Sequence, residues 1–195
     1  MSNRESTLVR MTVTLLVITV ITSAAVGFVE QLTKEPKAAT EAVKQNFAIK
    51  AVLSEYDNNP LADVYEIDSY DGAVEKITCY PGIRNGELSG IAVKTWTNNG
   101  YSGMIRLMVG FDKSGSIINI SVLEQKETPG LGSKMTQPRF KDQYNGMNPG
   151  ANNLKVKKDG GEVDAITAAT ISSRAFSDAV ERAYKSLEKA GKLEK

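Results

Sequence analysis

Between Arg10 and Glu30 lie nineteen residues, Met11 to Val29, without a charge. As a helix rising about 1.5 Å per residue, that run extends about 28 Å, the depth of a bilayer's hydrocarbon core. Thr12, Thr14, Thr19, Thr22 and Ser23 interrupt the aliphatic residues. Their hydroxyls can bond back to carbonyls one turn earlier, or serve a helix–helix interface within the membrane. A cleaved signal peptide is the competing reading, with Arg4 and Arg10 as its basic region and Ser23-Ala24-Ala25 as small residues at a cleavage site. The apolar run continues past that point, which favours a retained anchor. Charge counting leaves the orientation open, because Arg4 and Arg10 before the span are matched by Lys34, Lys37 and Lys44 after it.

The rest of the chain is long enough for one domain of ordinary size. Lys and Arg total 24 against 23 Asp and Glu, which gives no electrostatic footprint for nucleic acid. The absence of histidine excludes Ser-His-Asp and Cys-His catalysis and the usual zinc sites. Cys79, the single cysteine, can form neither an intrachain disulfide nor a thiolate cluster, and reads as a small core residue. Redox chemistry here would need a borrowed organic cofactor.

After the span, Ala39, Val43, Phe47, Val52 and Leu53 fall near one stripe of a helix expected from about Lys37 to Tyr56. Asn58-Asn59-Pro60 closes it. Strand patterns follow at Leu61–Ile67, Ala73–Tyr80, Leu88–Thr97, Met104–Phe111 and Ser116–Leu123, punctuated by Asp71-Gly72, Asn85-Gly86 and Asp112–Gly115. This spacing favours a mainly antiparallel sheet over repeated βαβ units, with Tyr80 and Trp96 as packing residues. The polar stretch 133–160 shows turns at Tyr144-Asn145-Gly146 and Asn148-Pro149-Gly150. Ile171, Ala175, Phe176, Ala179, Val180, Ala183, Tyr184 and Leu187 then mark one face of a long terminal helix.

Just before that helix stands Asp164-Ala165-Ile166-Thr167-Ala168-Ala169-Thr170-Ile171-Ser172-Ser173. Ser172 or Ser173 can serve as a helix cap, with the alanines allowing tight packing. The same place can seat a phosphate on free amides, with a threonine hydroxyl in reach of it. The segment resembles the Asp-x-x-Ser/Thr-Gly-Ala-Thr-x-Ser/Thr signature of the FMN-binding domain. Glu127-Thr128-Pro129-Gly130-Leu131-Gly132 resembles that family's second hallmark, and Gly100-Tyr101-Ser102-Gly103 its weaker third one. With one N-terminal span, the whole chain is similar to the FMN-binding G component of the Rnf ion-translocating oxidoreductases. The C component of the sodium-pumping NADH:quinone oxidoreductase is a related family.

The resemblance implies an α+β fold, with one N-terminal transmembrane helix before an FMN-binding domain of mainly antiparallel sheet and flanking helices. It divides the chain into a short cytoplasmic N-terminus (1–10), a membrane helix (11–29), a helical connector (30–60), the FMN-binding domain (61–190) and a charged tail (191–195). A flavin transferase would esterify FMN to Thr170, making it a phosphothreonine, and Asp164 would belong to the motif that the transferase reads. Thr167, Ala168 and Ala169 would line the phosphate and ribityl chain. Thr128 and Leu131 would lie along the isoalloxazine, with Gly130 and Gly132 allowing close approach. Glu127, Tyr101, Ser102 and Lys134 are further candidates, and no metal site is implied. Ala168 departs from the family pattern, which has glycine there; a Cβ makes any positive φ costlier.

The implied function is electron relay in a membrane complex that links ferredoxin and NAD to ion movement. The domain would lie on the outer face of the inner membrane, beside integral-membrane, flavin and iron–sulfur subunits. Two alternatives are a structural anchored subunit that has lost its flavin, and a free-standing exported flavoprotein reductase domain.

Overall fold

The structure, a computed structural model, describes residues 2–53 and 55–193, with side chains for 7–32, 40–53 and 55–193. Residues 194–195 of the expected charged tail and the side chain of Arg4 lie outside the described residues. The chain divides into two compact units, Met1–Val43 and Lys44–Lys195. The first unit is helical, part of helix α1 (Ser2–Val52). Within it, Thr7–Leu32 is long and apolar enough to cross a membrane, and its side chains are not buried in protein. The expected back-bonding of its threonines is present. Thr12, Thr14 and Thr19 donate to the Leu8, Arg10 and Leu15 carbonyls at 3.0, 2.8 and 2.8 Å, and Thr22 donates to Ile18 O at 2.9 Å. Each of these hydroxyls is thereby satisfied without water, which an apolar medium demands.

The second unit contains the expected sheet. Strands β1 (Tyr65–Ile67), β2 (Ile77–Arg84), β3 (Glu87–Gly100), β4 (Gly103–Phe111) and β5 (Ile117–Glu124) form an antiparallel meander in sequence order. Asn85 and Gly86, at φ 53° and 81°, make the tight β2–β3 turn that an Asn-Gly pair favours. The first two strands differ from expectation for local reasons. Asn59 takes the Leu61 N–H on its side chain and the Ala62 N–H on its carbonyl, turning the chain before β1 starts. The Asp71 side chain likewise takes the Ala73 N–H, and β2 begins only at Ile77. β2 then continues through Pro81, which pairs with Ile91 but lies past the end of β1. A residue lacking an N–H is tolerated where a strand has become an edge.

Two helices follow β5: the short α2 (Pro138–Lys141) and the long terminal α3 (Thr170–Lys189). One sheet face buries Ile77, Cys79, Ile91, Val93, Ile105, Leu107, Val109 and Phe111 against the apolar side of α3, formed by Ala175, Phe176, Ala179, Val180, Ala183 and Leu187. Thr95 adds a buried hydrogen bond from its Oγ1 to Ala179 O at 2.9 Å. Burial pushes the Cys79 thiol up to about 12, so it behaves as a small apolar side chain, as expected. The other face buries Tyr80, Ala92 and Met108 under Ala48, Ile49, Val52 and Leu53. That contact revises the expected stripe: Val52 and Leu53 are buried, whereas Val43 and Phe47 are exposed, and the side chain of Ala39 lies outside the described residues. The helix also stops at Val52, short of Tyr56.

The polar stretch after β5 is held by a few apolar anchors. Phe140 and Tyr144 pack on Phe176, with ring centroids 5.2 and 5.1 Å away, and the Tyr144 hydroxyl meets Ser177 Oγ at 2.8 Å. Met135, Leu154, Val163 and Ile166 complete the layer.

Gly110 sets how closely the end of α1 approaches the sheet. A Cβ there would overlap Val52 O, so the helix end rests on bare backbone. Gly110→Ala is expected to push these layers apart and lower stability by about 1–3 kcal/mol. Thermal unfolding of the purified full chain, followed by near-ultraviolet circular dichroism, measures this; an unchanged midpoint would contradict the contact.

Candidate functional site

The loop after β5 turns on its own sequence. Pro129 and Gly130 occupy the corners of a turn closed by Leu131 N–H to Thr128 O at 3.1 Å, and Gly130 has the positive φ, 75°, that such a turn requires. Its neighbours Thr128 and Leu131 are exposed, while Glu127 and Gly132 are buried.

Glu127 joins this loop to two distant segments. Its Oε1 accepts the Ser102 N–H at 2.9 Å, and its Oε2 accepts the Ser172 hydroxyl at 2.5 Å. Its own N–H is taken by Gln125 Oε1 at 2.7 Å. The two flanking glycines leave room for that carboxylate. A Cβ on Gly100 would lie 2.8 Å from Glu127 Oε1, and one on Gly132 would lie 2.7 Å from Oε2 and 2.5 Å from Ser172 Oγ. Glu127 therefore gathers all three sequence hallmarks, with Tyr101 and Ser102 exposed on one side and the start of α3 on the other.

The expected serine caps of α3 are otherwise employed. Ala169 is the N-cap and offers no side-chain oxygen. Ser172 is committed to Glu127, and Ser173 Oγ accepts the Ile166 N–H at 2.9 Å while donating to Ala169 O at 3.0 Å. The amides of Thr170, Ile171 and Ser172 thus stand in the first turn without intrahelical acceptors. Thr170 is half-buried, and among the described residues its Oγ1 has no hydrogen-bond partner. A free hydroxyl at the positive end of a 20-residue helix suits a phosphoryl group.

The loop leading to Thr170 has a defined shape. Ala168 adopts φ 60°, the left-handed conformation for which glycine is the usual residue. Thr167 and Ala168 are exposed, and Ala169 is buried. At the far end, exposed Asp164 pairs with Lys157 Nζ at 2.8 Å. Between Lys134, Arg139, Gln143 and Thr167 lies a cleft of about 270 Å³. On α3 itself, the Arg174 guanidinium grips Asp159 through a two-point contact at 2.7 and 2.8 Å and holds that carboxyl below its usual range.

Gln143 and Lys157 carry no sequence signal of their roles, since their partner Asp164 is 21 and 7 residues away. Ser172, expected as a local cap, has its partner 45 residues earlier. No periodicity signals such a pair.

Comparison with known proteins follows the same residues. The FMN-binding domain family matches residues 100–185. The chain is 31% identical to the G component of the ion-translocating oxidoreductase complex of Shewanella piezotolerans over 167 residues, covering 81% of this chain and 79% of that protein. Against the G component of the same complex in Vibrio vulnificus it is 34% identical over 176 residues, covering 86% and 83%. Among solved structures, Shewanella oneidensis NqrC aligns with a TM-score of 0.46 at 19% identity, covering 72% of this chain and 70% of that one.

Ala168 supplies a test of the loop geometry. Replacing it by glycine relieves a left-handed conformation that costs an alanine about 1–2 kcal/mol, against a smaller loss from added freedom in the unfolded chain. Ala168→Gly is expected to stabilise the domain by about 0.5–1 kcal/mol, read as a rise in the thermal midpoint. A fall in that midpoint would contradict the backbone conformation described.

Proposed function

The chain belongs to the family of the G component of ion-translocating oxidoreductase complexes, and from that premise we propose that it relays electrons through FMN esterified to the Thr170 hydroxyl. The observation that carries this reading is the unpartnered Thr170 Oγ1 at the open first turn of α3, beside the loop that Glu127 fastens to that turn. FMN, when bound, supplies one-electron chemistry that none of the chain's own side chains provides.

The protein's part is to hold and expose. The open amides of the first turn of α3 and the helix dipole would favour the charge of a phosphoryl group held on Thr170. Thr167, Ala168 and Ala169 shape the backbone beside it. Thr128, Leu131, Tyr101 and Ser102 offer an exposed rim for the ring, with Gly130 setting the turn and Glu127 and Gly132 supporting it from beneath. Asp164 belongs to the surface that a flavin transferase reads. Lys134 lines a cleft together with Asp164, Ala165, Ile166 and Thr167 of the signature loop.

Residues 11–29, within the apolar helical stretch Thr7–Leu32, anchor the chain in the inner membrane, with residues 1–10 on the cytoplasmic side and the domain at 61–190 on the outer side. Its partners are the integral-membrane, flavin and iron–sulfur subunits of a complex that couples ferredoxin and NAD to ion movement. Ala168 bears on the alternative of a flavin-free structural subunit. The loop keeps its glycine-type conformation despite the Cβ, which supports retention of the site.

The chain made with its flavin transferase is expected to gain the mass of one FMN less one water, and Thr170→Ala is expected to gain nothing. The alanine variant should lose at most about 1 kcal/mol of stability, since Thr170 makes no capping bond. Intact-mass measurement and in-gel flavin fluorescence after denaturation read the adduct. An adduct at Thr167, or none on the native chain, would overturn the assignment.

A further inference from the structure

We propose that Gln143 is a positioning residue for covalent flavin attachment, fixing the segment from Asp164 to Thr170 in the shape presented to the transferase. The inference rests on Thr170 as the attachment point. Gln143 uses both ends of its amide. Its Oε1 accepts the Asp164 N–H at 2.8 Å, and its Nε2 donates to Asp164 O at 3.3 Å and to Phe140 O at 3.0 Å. Only this orientation matches all three backbone groups, since the reverse would set donor against donor and acceptor against acceptor.

The clamp is itself referenced to α3. The next residue, Tyr144, is fully buried, packs on Phe176 and meets Ser177 Oγ at 2.8 Å. Both ends of the segment therefore refer to one helix. Thr170 is its first residue, and Asp164 is tied through Gln143 to a neighbour packed one to two turns further along. Between them, Ser173 Oγ takes the Ile166 N–H. On the opposite side, Lys157 N–H donates to Val163 O at 2.8 Å and Lys157 Nζ to Asp164 Oδ2 at 2.8 Å. An acid to be recognised and a hydroxyl to be modified are thus held at a fixed spacing before any enzyme arrives.

In the attachment step Thr170 Oγ1 bonds to the FMN phosphorus of a flavin phosphoanhydride such as FAD. The bond from that phosphorus to the bridging oxygen breaks, AMP leaves with the electron pair, and the hydroxyl proton passes to a base. No oxidation occurs. Such a displacement depends on alignment, and loosening Asp164 relative to Thr170 slows it without removing a reacting atom.

The test is the initial rate of flavin incorporation into the purified full chain, given FAD and the flavin transferase and read by in-gel fluorescence and intact mass. Gln143→Ala is expected to slow incorporation about tenfold or more, while Arg174→Ala, which cuts another surface tie on α3, changes it by less than about twofold. Gln143→Glu keeps an acceptor for the Asp164 N–H but loses both donors, and is expected to fall between wild type and Gln143→Ala. Hydrogen exchange at the Asp164 amide, measured before attachment, is expected to quicken in Gln143→Ala while α3 stays protected. An unchanged rate in Gln143→Ala, or an equal loss in Arg174→Ala, overturns the proposal while wild type still becomes flavinylated. Failure of wild type itself to take flavin overturns the attachment reading beneath it.

Discussion

The buried carboxylate of Glu127 accepts one hydrogen bond from the turn after β3 and one from the first turn of α3, and it sits at the head of the loop that follows β5. A carboxylate taken from water needs such donors, and hydrogen bonds to it are stronger than neutral ones. Three segments far apart in sequence are thereby drawn to one point. Gly132 follows from this requirement, because a side chain there would occupy the space of Ser172 and the carboxylate, and at Gly100 a side chain would meet both the Gly103 carbonyl and the carboxylate.

The consequence for α3 is an unfilled cap. Ser172 and Ser173, the natural candidates, are turned to Glu127 and to the preceding loop. The helix instead starts from Ala169, with Thr170 offering a hydroxyl that has no partner among the described residues, beside open amides. An arrangement that leaves a helix end locally unsatisfied is what a phosphoryl group can complete. Strain at Ala168 belongs to the same arrangement, since the left-handed residue reverses the chain just before the helix.

Rigidity behind the site comes from two packed layers on the sheet. Phe140, Tyr144 and Phe176 fix the irregular segment onto α3, and α3 is fixed to the sheet by its alanine-rich face and the Thr95 bond. On the reverse face, Gly110 lets the end of α1 rest against backbone. Such a scaffold suits the electron relay proposed above, because a redox centre held in a rigid frame would reorganise little.

The charge-free run, the five strand patterns and the apolar face of α3 were each legible in the sequence, because each depends on local periodicity and on a burial pattern that repeats within a few residues. The hallmark motifs were also legible as motifs, and the positive φ at Ala168 agrees with the glycine expected there. Local turns at Asn59 and Asp71, whose side chains take N–H groups two residues on, shortened β1 and β2. Tertiary structure decided the rest. The buried side of α1 shifted to Ala48, Ile49 and Val52, with Leu53 just beyond its end. The pairing of Glu127 with Ser172, and of Gln143 with Asp164, joins residues 45 and 21 positions apart. Such bonds leave no periodic trace, because their partners become neighbours only after the sheet and α3 have packed.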